Sequence, residues 1–426
     1  MAARVLRVDL TQPLSPIRTS TKYAAYWVMV TFGRRPIGWV KFRRSIVGAV
    51  VTPDTLIGLI GDQIGLGFVD AIHHRAHQPP ELPHQPPVSV IICTREHPDQ
   101  LLRQLNSVVE LDHPEFEIIV VDNAPRTEGT RKVCEQFAGK VRYIVEPHKG
   151  LDYARNAGWR SARHPIVAYT DDDACVDPQW LNALAQNYAD PRVACVTGIT
   201  FPFELESVAQ ELFERYGGMQ RGFQRRVFRP GPWNPYYPVG SGRFGAGVNL
   251  SLRRSVLEGL GGFDDALDVG SLARGGGDLD IMTRVIRDGW TLVYEPGAMV
   301  WHQHRRTMKE LRKQMFDYGY GFTAFAAKHA QDLETGNQVW RLLRRWGRFW
   351  GRKRLIKNVG RAMRFQKNRF PVHLIALEIW GGLLGYFAYN RSVNRVRSIA
   401  RRDRVHGARP AYELTLEPRG EIRSAA

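Results

Sequence analysis

Four short apolar runs, at 88–92, 117–122, 141–145 and 166–170, constrain this chain more than any other feature. Each has the length and β-branched content of a buried strand. Helical patterns at 99–111, with Pro98 at its start, and at 151–162 lie between them. Strands alternating with helices of this length predict an α/β fold, a mostly parallel sheet with helices on both faces. A helix over 278–287 and a strand over 291–294 complete that core. Polar residues gather just after the runs, at the strand ends where open α/β sheets bind ligands.

The flanks differ in character. Residues 1–78 read as a small β-rich module: Tyr26, Val28, Val30 and Phe32 alternate, 33–36 is a turn, and Ile37, Trp39 and Lys41 resume the alternation. A Pro-rich linker, 79–87 (PPELPHQPP), predicts a module that folds apart from the rest. The α/β core then spans 88–330. Residues 201–245, rich in Arg, Gly, Pro and aromatics, read as one long irregular loop. Residues 331–426 form a basic, amphipathic helical tail. Within it, 341–369 holds many Lys and Arg and no Asp or Glu, and the apolar segment 372–389 is interrupted by Glu378.

The net charge of +18 over 426 residues implies attraction to a polyanion or an anionic surface. Cys93, Cys134, Cys175 and Cys195 have no zinc-ligand spacing and read as reduced thiols in a cytosolic compartment. No secretory signal follows Arg4 and Arg7, and no apolar run reaches the length of a spanning helix. There is no Gly-rich phosphate loop of the kinase or ATPase type.

Asp171, Asp172 and Asp173 stand together at the end of an apolar strand. Three adjacent carboxylates repel one another, more so when desolvated. A hard divalent ion, Mn²⁺ or Mg²⁺, offsets that repulsion and shares oxygen ligands with phosphates. The alternative is a solvated acidic turn. Asp122 ends another strand, where it either accepts a hydrogen bond from a bound base or ribose or serves as a turn residue.

The segments VSVIICTRE (88–96), IIVVDN (118–123), GLDYARNAGW (150–159) and YTDDDACVDPQWL (169–181) resemble bacterial family 2 glycosyltransferases. GAGVNLSLRRSVLEGLGGFDDAL (245–267), GGGDLDIMTRVIRDGW (275–290) and VYEPGAMVWHQHRR (293–306) continue the resemblance in order. It implies the GT-A fold, a Rossmann-like sheet with a nucleotide-sugar at its C-terminal edge. It also implies an inverting, metal-assisted transfer to a saccharide or lipid-linked acceptor. By the resemblance, Thr94, Arg95 and Glu96 form the first nucleotide loop. Asp122 reads the base, through N3–H if the base is uracil, and the Arg95 guanidinium stacks where relatives carry an aromatic ring. Arg155 supports the diphosphate or the aspartate cluster, unless it is a plain helix-face salt bridge. Asp171 and Asp172 contact ribose and sugar, Asp173 binds the metal, and His302 supplies a further ligand, with His304 as its competitor. Asp278 is the general base, its pKa raised by burial and by Asp280, or a helix cap, or both. Relatives often carry Glu-Asp where this chain has Gly277–Asp278. Gly245, Ala246 and Gly247 let the backbone approach the donor sugar. Phe223, Phe228, Trp233, Tyr236, Tyr237 and Phe244 either stack on acceptor sugars or pack a surface loop.

Two other classes share parts of this pattern: a basic nucleic-acid-binding protein with a non-catalytic core, and a sugar nucleotidyltransferase. Clustered carboxylates at strand ends repel phosphodiesters, which argues against nucleic acid as a partner. Basic residues interleaved with Trp340, Trp346, Phe349, Trp350 and Trp380 fit an anionic membrane surface instead. The expected location is the cytoplasm, peripherally on the inner face of the cell membrane.

Overall fold

The computed structural model describes residues 2–69, 85–229, 231, 239–332, 335–349, 355–356, 358–359, 370–407 and 411–416. Strands are numbered in chain order. The N-terminal strands are β1 (Ala3–Asp9), β2 (Ile17–Arg18), β3 (Ala25–Phe32), β4 (Arg35–Arg43) and β5 (Val50–Val51). The central sheet comprises β6 (Val88–Thr94), β7 (Phe116–Asn123), β8 (Val141–Glu146), β9 (Ile166–Asp171), β10 (Ala174–Val176), β11 (Val193–Pro202), β12 (Arg226–Phe228), β13 (Leu250–Arg253), β14 (Thr291–His302) and β15 (Tyr412–Leu414).

The central sheet runs β10-β14-β11-β13-β9-β6-β7-β8-β15, with β12 also on β14. Strands β9, β6, β7 and β8, whose cores are the four apolar runs, pair in parallel. The other half is mixed: β13 is antiparallel to β9 and β11, while β11 and β14 are parallel. Side-chain alternation on β6 divides the core. Val88, Val90 and Ile92 pack with Leu101, Leu105 and Val108 of the helix Pro98–Val108. Ile91 packs on the opposite face with Ala154 and Ala157 of the helix Leu151–Ser161.

Two segments are more ordered than the sequence pattern predicts. The stretch 201–245 contains the helix Val208–Tyr216, started by a reciprocal capping box between Ser207 and Gln210. Strand β14 continues past 294 to His302, because a register shift between Gly198 and Ile199 on β11 accommodates Pro296 and Gly297.

The N-terminal module does not stand apart. One face of its β1-β3-β4 sheet covers Leu56 and Ile60 of its own helix, Pro53–Ile64. From the other face, Met29 joins Ile199, Phe201, Tyr294 and Met299 of the central sheet. Trp39 meets Phe201 edge-on at 5.4 Å, Arg7 Nη1 pairs with Asp177 at 2.6 Å, and Ala3 N donates to Leu205 O at 2.7 Å. Residues 79–84 of the expected linker lie outside the described residues.

The basic C-terminal region is likewise built into the fold. The helix Met308–Ala330 packs along Val372–Gly385 through glycines on both. A Cβ on Gly381 would lie 2.1 Å from Phe316 O, and one on Gly385 2.1 Å from Tyr320 O. Glu378 faces inward, buried, where it meets the Tyr216 hydroxyl. Tyr389 donates to Asp264 at 3.0 Å, and β15 pairs with β8 at the sheet edge. Among the described residues no single helix is long and apolar enough to cross a membrane.

Helix propensity alone favours Ala over Gly at position 381 by up to about 1 kcal/mol. The backbone clash has the opposite sign, at about 1–3 kcal/mol. Gly381→Ala is therefore expected to lower the urea midpoint; a raised midpoint would contradict this helix packing.

Candidate active site

The chain turns sharply after β9. Asp171 ends that strand, Asp172 and Asp173 form the turn, and Ala174 begins β10, pairing with His302 of β14. That register sets His302 Nε2 3.1 Å from Asp173 Oδ1, and Gln303 N donates to Asp173 O at 2.8 Å. Ligand atoms of Asp171, Asp173 and His302 all lie within 4.8 Å of one another. Two carboxylates and an imidazole suit a hard or borderline divalent ion, whose coordination shell spans about 4–5 Å. The trio fits Mn²⁺ or Mg²⁺. Asp171, assigned by sequence to ribose and sugar, belongs to this cluster. His304 does not: its Nε2 lies 2.8 Å from Glu214 and its ring packs on Phe213.

The three aspartates differ electrostatically. Burial, then Asp173, pushes Asp171 up to about 7. Burial also works to raise Asp173, but His302, Arg305 and His97 overcome it and hold Asp173 at about 2. Asp172 faces away from the trio. It accepts from the Thr94 hydroxyl at 2.6 Å and lies 3.1 Å from His97 Nδ1. Thr94 thus fastens the end of β6 to the aspartate turn.

Asp122 is fully buried at the end of β7. Its Oδ2 accepts from the Tyr143 hydroxyl at 2.7 Å, while Oδ1 has no hydrogen-bond partner among the described residues. Burial raises its pKa to about 6. Glu96 has a positive φ of 62° and binds the neighbouring loop, accepting from Arg126 N at 2.7 Å and from the Thr127 hydroxyl at 3.0 Å. It joins the loop after β6 to the loop after β7. Arg95 is half-buried beside it, and its Nε lacks a hydrogen-bond partner.

Asp278 opens the helix Gly277–Arg287. Gly247 N donates to its Oδ2 at 3.0 Å, and Leu279 N donates to its Oδ1 at 2.8 Å. Burial, then Asp268, raises its pKa, with Arg155 opposing. Asp280 is not the carboxylate responsible. It points into a buried cluster of Arg284 at 2.7 Å, Lys328 at 2.8 Å and His329 at 3.0 Å, and is held well below the usual carboxylate range.

Arg155 serves the aspartates. Its Nη1 donates to Asp152 Oδ1 at 2.9 Å and also pairs with Asp268. A Cβ on Gly247 would lie 2.7 Å from Arg155 Nη2, so that glycine makes room for Arg155 and Asp278. A Cβ on Gly277 would lie 2.1 Å from Asp152 Oδ2. The Asp152 carboxylate therefore occupies the space of a side chain at 277, which accounts for the glycine there.

Asp171, His302, Arg155 and Asp278 line one cleft of 340 Å³. The sequence pattern missed several other lining groups, among them Arg221, Asp268, Arg305 and Tyr318. Arg305 follows the predicted His302 by three residues, a nearby signal; Arg221 and Tyr318 come from segments read as loop and domain end. Phe228 and Phe244 pack against each other at 4.6 Å, and Phe223 stacks near Phe201, so these rings serve packing. Trp233, Tyr236 and Tyr237 lie outside the described residues.

Residues 89–260 match the family model Glycosyl transferase family 2. The pre-mycofactocin glycosyltransferase of Mycobacterium tuberculosis is 27% identical over 257 residues, 59% of this chain and 50% of that protein. The succinoglycan biosynthesis protein ExoM of Rhizobium meliloti is 26% identical over 270 residues, 60% of this chain and 79% of that protein. This chain thus spans about half the length of the mycobacterial relative. A mannosyltransferase from Pyrobaculum calidifontis, solved in complex with GDP-Man and Mn2+, is similar in structure with a TM-score of 0.51. The similarity covers 78% of this chain and 97% of that one at 19% identity. The fold is GT-A.

Removing a carboxylate from the trio tests the cation site. Asp173→Ala is expected to abolish the thermal stabilisation that MnCl₂ gives the wild type, while His304→Gln leaves it in place. Equal stabilisation of Asp173→Ala and wild type would remove Asp173 from the site.

Proposed function

We propose that this chain, which belongs to glycosyl transferase family 2 through residues 89–260, moves a sugar from a nucleotide-diphosphate donor to an acceptor hydroxyl with inversion. The observation that carries this reading is the convergence of Asp171, His302 and Asp278 on one cleft at the C-terminal edge of the parallel strands. A divalent cation held by Asp171, Asp173 and His302 supplies charge neutralisation for the diphosphate leaving group.

The base pocket favours uridine. Tyr143 already occupies Asp122 Oδ2, and Oδ1, though closed to solvent here, has no hydrogen-bond partner among the described residues. One free oxygen suits the single N3–H of uracil, or of thymine. The adjacent N1–H and N2–H donors of guanine call for both oxygens.

Asp278 is the general base. Two backbone N–H groups fix its orientation, and its raised pKa brings its basicity nearer to the task of accepting a hydroxyl proton. Attack from the side opposite the diphosphate inverts the anomeric centre. A sugar nucleotidyltransferase has no use for a base in this position.

The membrane reading rests on an exposed apolar stripe. Trp380, Leu383 and Leu384 lie on the side of the helix Val372–Gly385 opposite its buried glycines, and exposed Phe387 follows just past its end. With the basic surface around it, this stripe suits shallow insertion into an anionic leaflet on the cytoplasmic side.

Asp278→Asn is expected to lower kcat by roughly 10²–10⁴ while UDP-sugar Kd, measured by calorimetry, stays near wild type. The base works deprotonated, so wild-type kcat should fall as pH drops through the raised pKa. Near-normal kcat in the variant would reject Asp278 as base, and a product of retained configuration would reject single displacement. Separately, Trp380→Ser with Leu383→Ser should reduce cosedimentation with phosphatidylglycerol vesicles, as should high salt; unchanged pelleting would place the membrane contact elsewhere.

A further inference from the structure

The N-terminal module leaves one edge of its sheet open. In the order β1-β3-β4, strands β1 and β4 are the two edges. The β4 edge is closed by a side chain: Lys41 N donates to Gln63 Oε1 at 2.9 Å, and Gln63 Nε2 donates to Lys41 O at 3.2 Å. Along β1, Ala2 O accepts from Ala24 N and Leu10 N donates to Thr31 O, so the even-numbered residues turn their backbone groups toward the β3 side. The odd-numbered residues turn theirs outward. Ala3 N uses this edge, donating to Leu205 O in an isolated antiparallel bridge. Beyond it, the outward backbone groups of Val5 and Arg7 have no backbone partner among the described residues. Such an edge is a template for an added strand.

Beside this edge lies a trough of 730 Å³, between β1 and residues 12–18. Leu6 and Val8 of β1 face Leu14 and Ile17 of the loop across an apolar floor, all four half-buried against the module's own core. Arg4 and Arg18 stand on the rim, exposed and without a salt bridge among the described residues. Arg7 also lines the trough but is paired with Asp177. The Asp9 carboxylate is turned to its own loop, accepting from Thr11 N, the Thr11 hydroxyl and Gly33 N. Past Arg18 the surface is apolar again, because Arg18 pairs with the exposed Val50 of β5.

We propose that this edge docks an extended acidic segment of a partner protein, which joins the module as a fourth strand. The open backbone groups call for a strand. The floor calls for apolar side chains at every second position, opposite Leu6 and Val8. The unpaired Arg4 and Arg18 call for acidic side chains flanking them. A second copy of this chain is the poorer occupant, since two-fold pairing of the open stretch Val5–Asp9 sets Arg7 directly against Arg7. Met29, Trp39 and Arg7 fix the module to the central sheet, so a segment docked here is held at a set place relative to the cleft.

The test uses the full chain and a fluorescein-labelled peptide, Glu-Glu-Val-Thr-Val-Glu-Glu, read by fluorescence anisotropy. This peptide should bind, and Lys-Lys-Val-Thr-Val-Lys-Lys and Glu-Glu-Ser-Thr-Ser-Glu-Glu should each bind about tenfold more weakly or worse. Reversing both rim charges, Arg4→Glu with Arg18→Glu, should weaken the acidic peptide about tenfold. Both side chains are exposed, so the melting temperature of that variant should stay near wild type. N-methylation of alternate peptide residues separates strand addition from charge attraction: one alternate set should abolish binding and the other should leave it in place. Absence of binding, wild-type affinity in the double variant, or an equal response to the two methylation patterns would overturn the proposal. So would a dimer in sedimentation velocity that Val5→Pro dissociates, which would give the edge to a second copy.

Discussion

One buried guanidinium organises the cleft. Arg155 pairs directly with Asp152 and Asp268, and its charge reaches Asp171 and Asp278. Without it, four carboxylates would crowd a space largely closed to water, where like-charge repulsion is strong. Loss of one partner from a buried ion pair costs about 3–5 kcal/mol, because the remaining charge is stranded. The surrounding backbone is shaped to admit the arginine. Gly247 is bare where its guanidinium passes, Gly277 is bare where the Asp152 carboxylate sits, and Asp268 takes a φ of 62°.

This arrangement gives chemically identical side chains different tasks. Asp173 is drawn down to about 2 by His302 and Arg305, while Asp171 is pushed up to about 7 by burial and by Asp173 itself. Asp278 and Asp280 are two residues apart on one helix and face opposite ways. The first sits in the cleft with a raised pKa, and the second neutralises Arg284, Lys328 and His329 in the interior. Environments that push the pKa values of like groups apart are the usual means of assigning distinct roles at one pH.

The parallel half of the sheet is legible in the sequence because its strands are buried on both faces and read as continuous apolar runs. The acidic residues ending β7 and β9 are legible for the same reason, since they stand out where such a run stops. The mixed half is harder to read. Strand β14 carries Pro296 and Gly297 and continues only because β11 shifts register beside them. Asp152 and Asp268 are ordinary helix and loop aspartates in sequence, and only the fold brings them to Arg155. Asp280 is the plainest misreading. Proximity in sequence made it the neighbour of Asp278, but successive positions on a helix point about 100° apart, so residues two apart face away from each other.

The largest departure concerns the C-terminal region, where charge and composition suggest a tail. Composition does not reveal that Gly381 and Gly385 let one helix lie directly on another's backbone, a contact that one methyl group would block. The helix held there, Met308–Ala330, contributes Gln314, Tyr318 and Phe322 to the cleft. Its Gly321 also abuts Gly275 and Gly276, immediately before the helix that starts at Gly277 and carries Asp278. The apolar stripe with Trp380 is therefore fixed to the same rigid support as one wall of the cleft. A surface that docked this stripe would hold the cleft at a set distance and orientation, because stripe and cleft wall belong to one packed body.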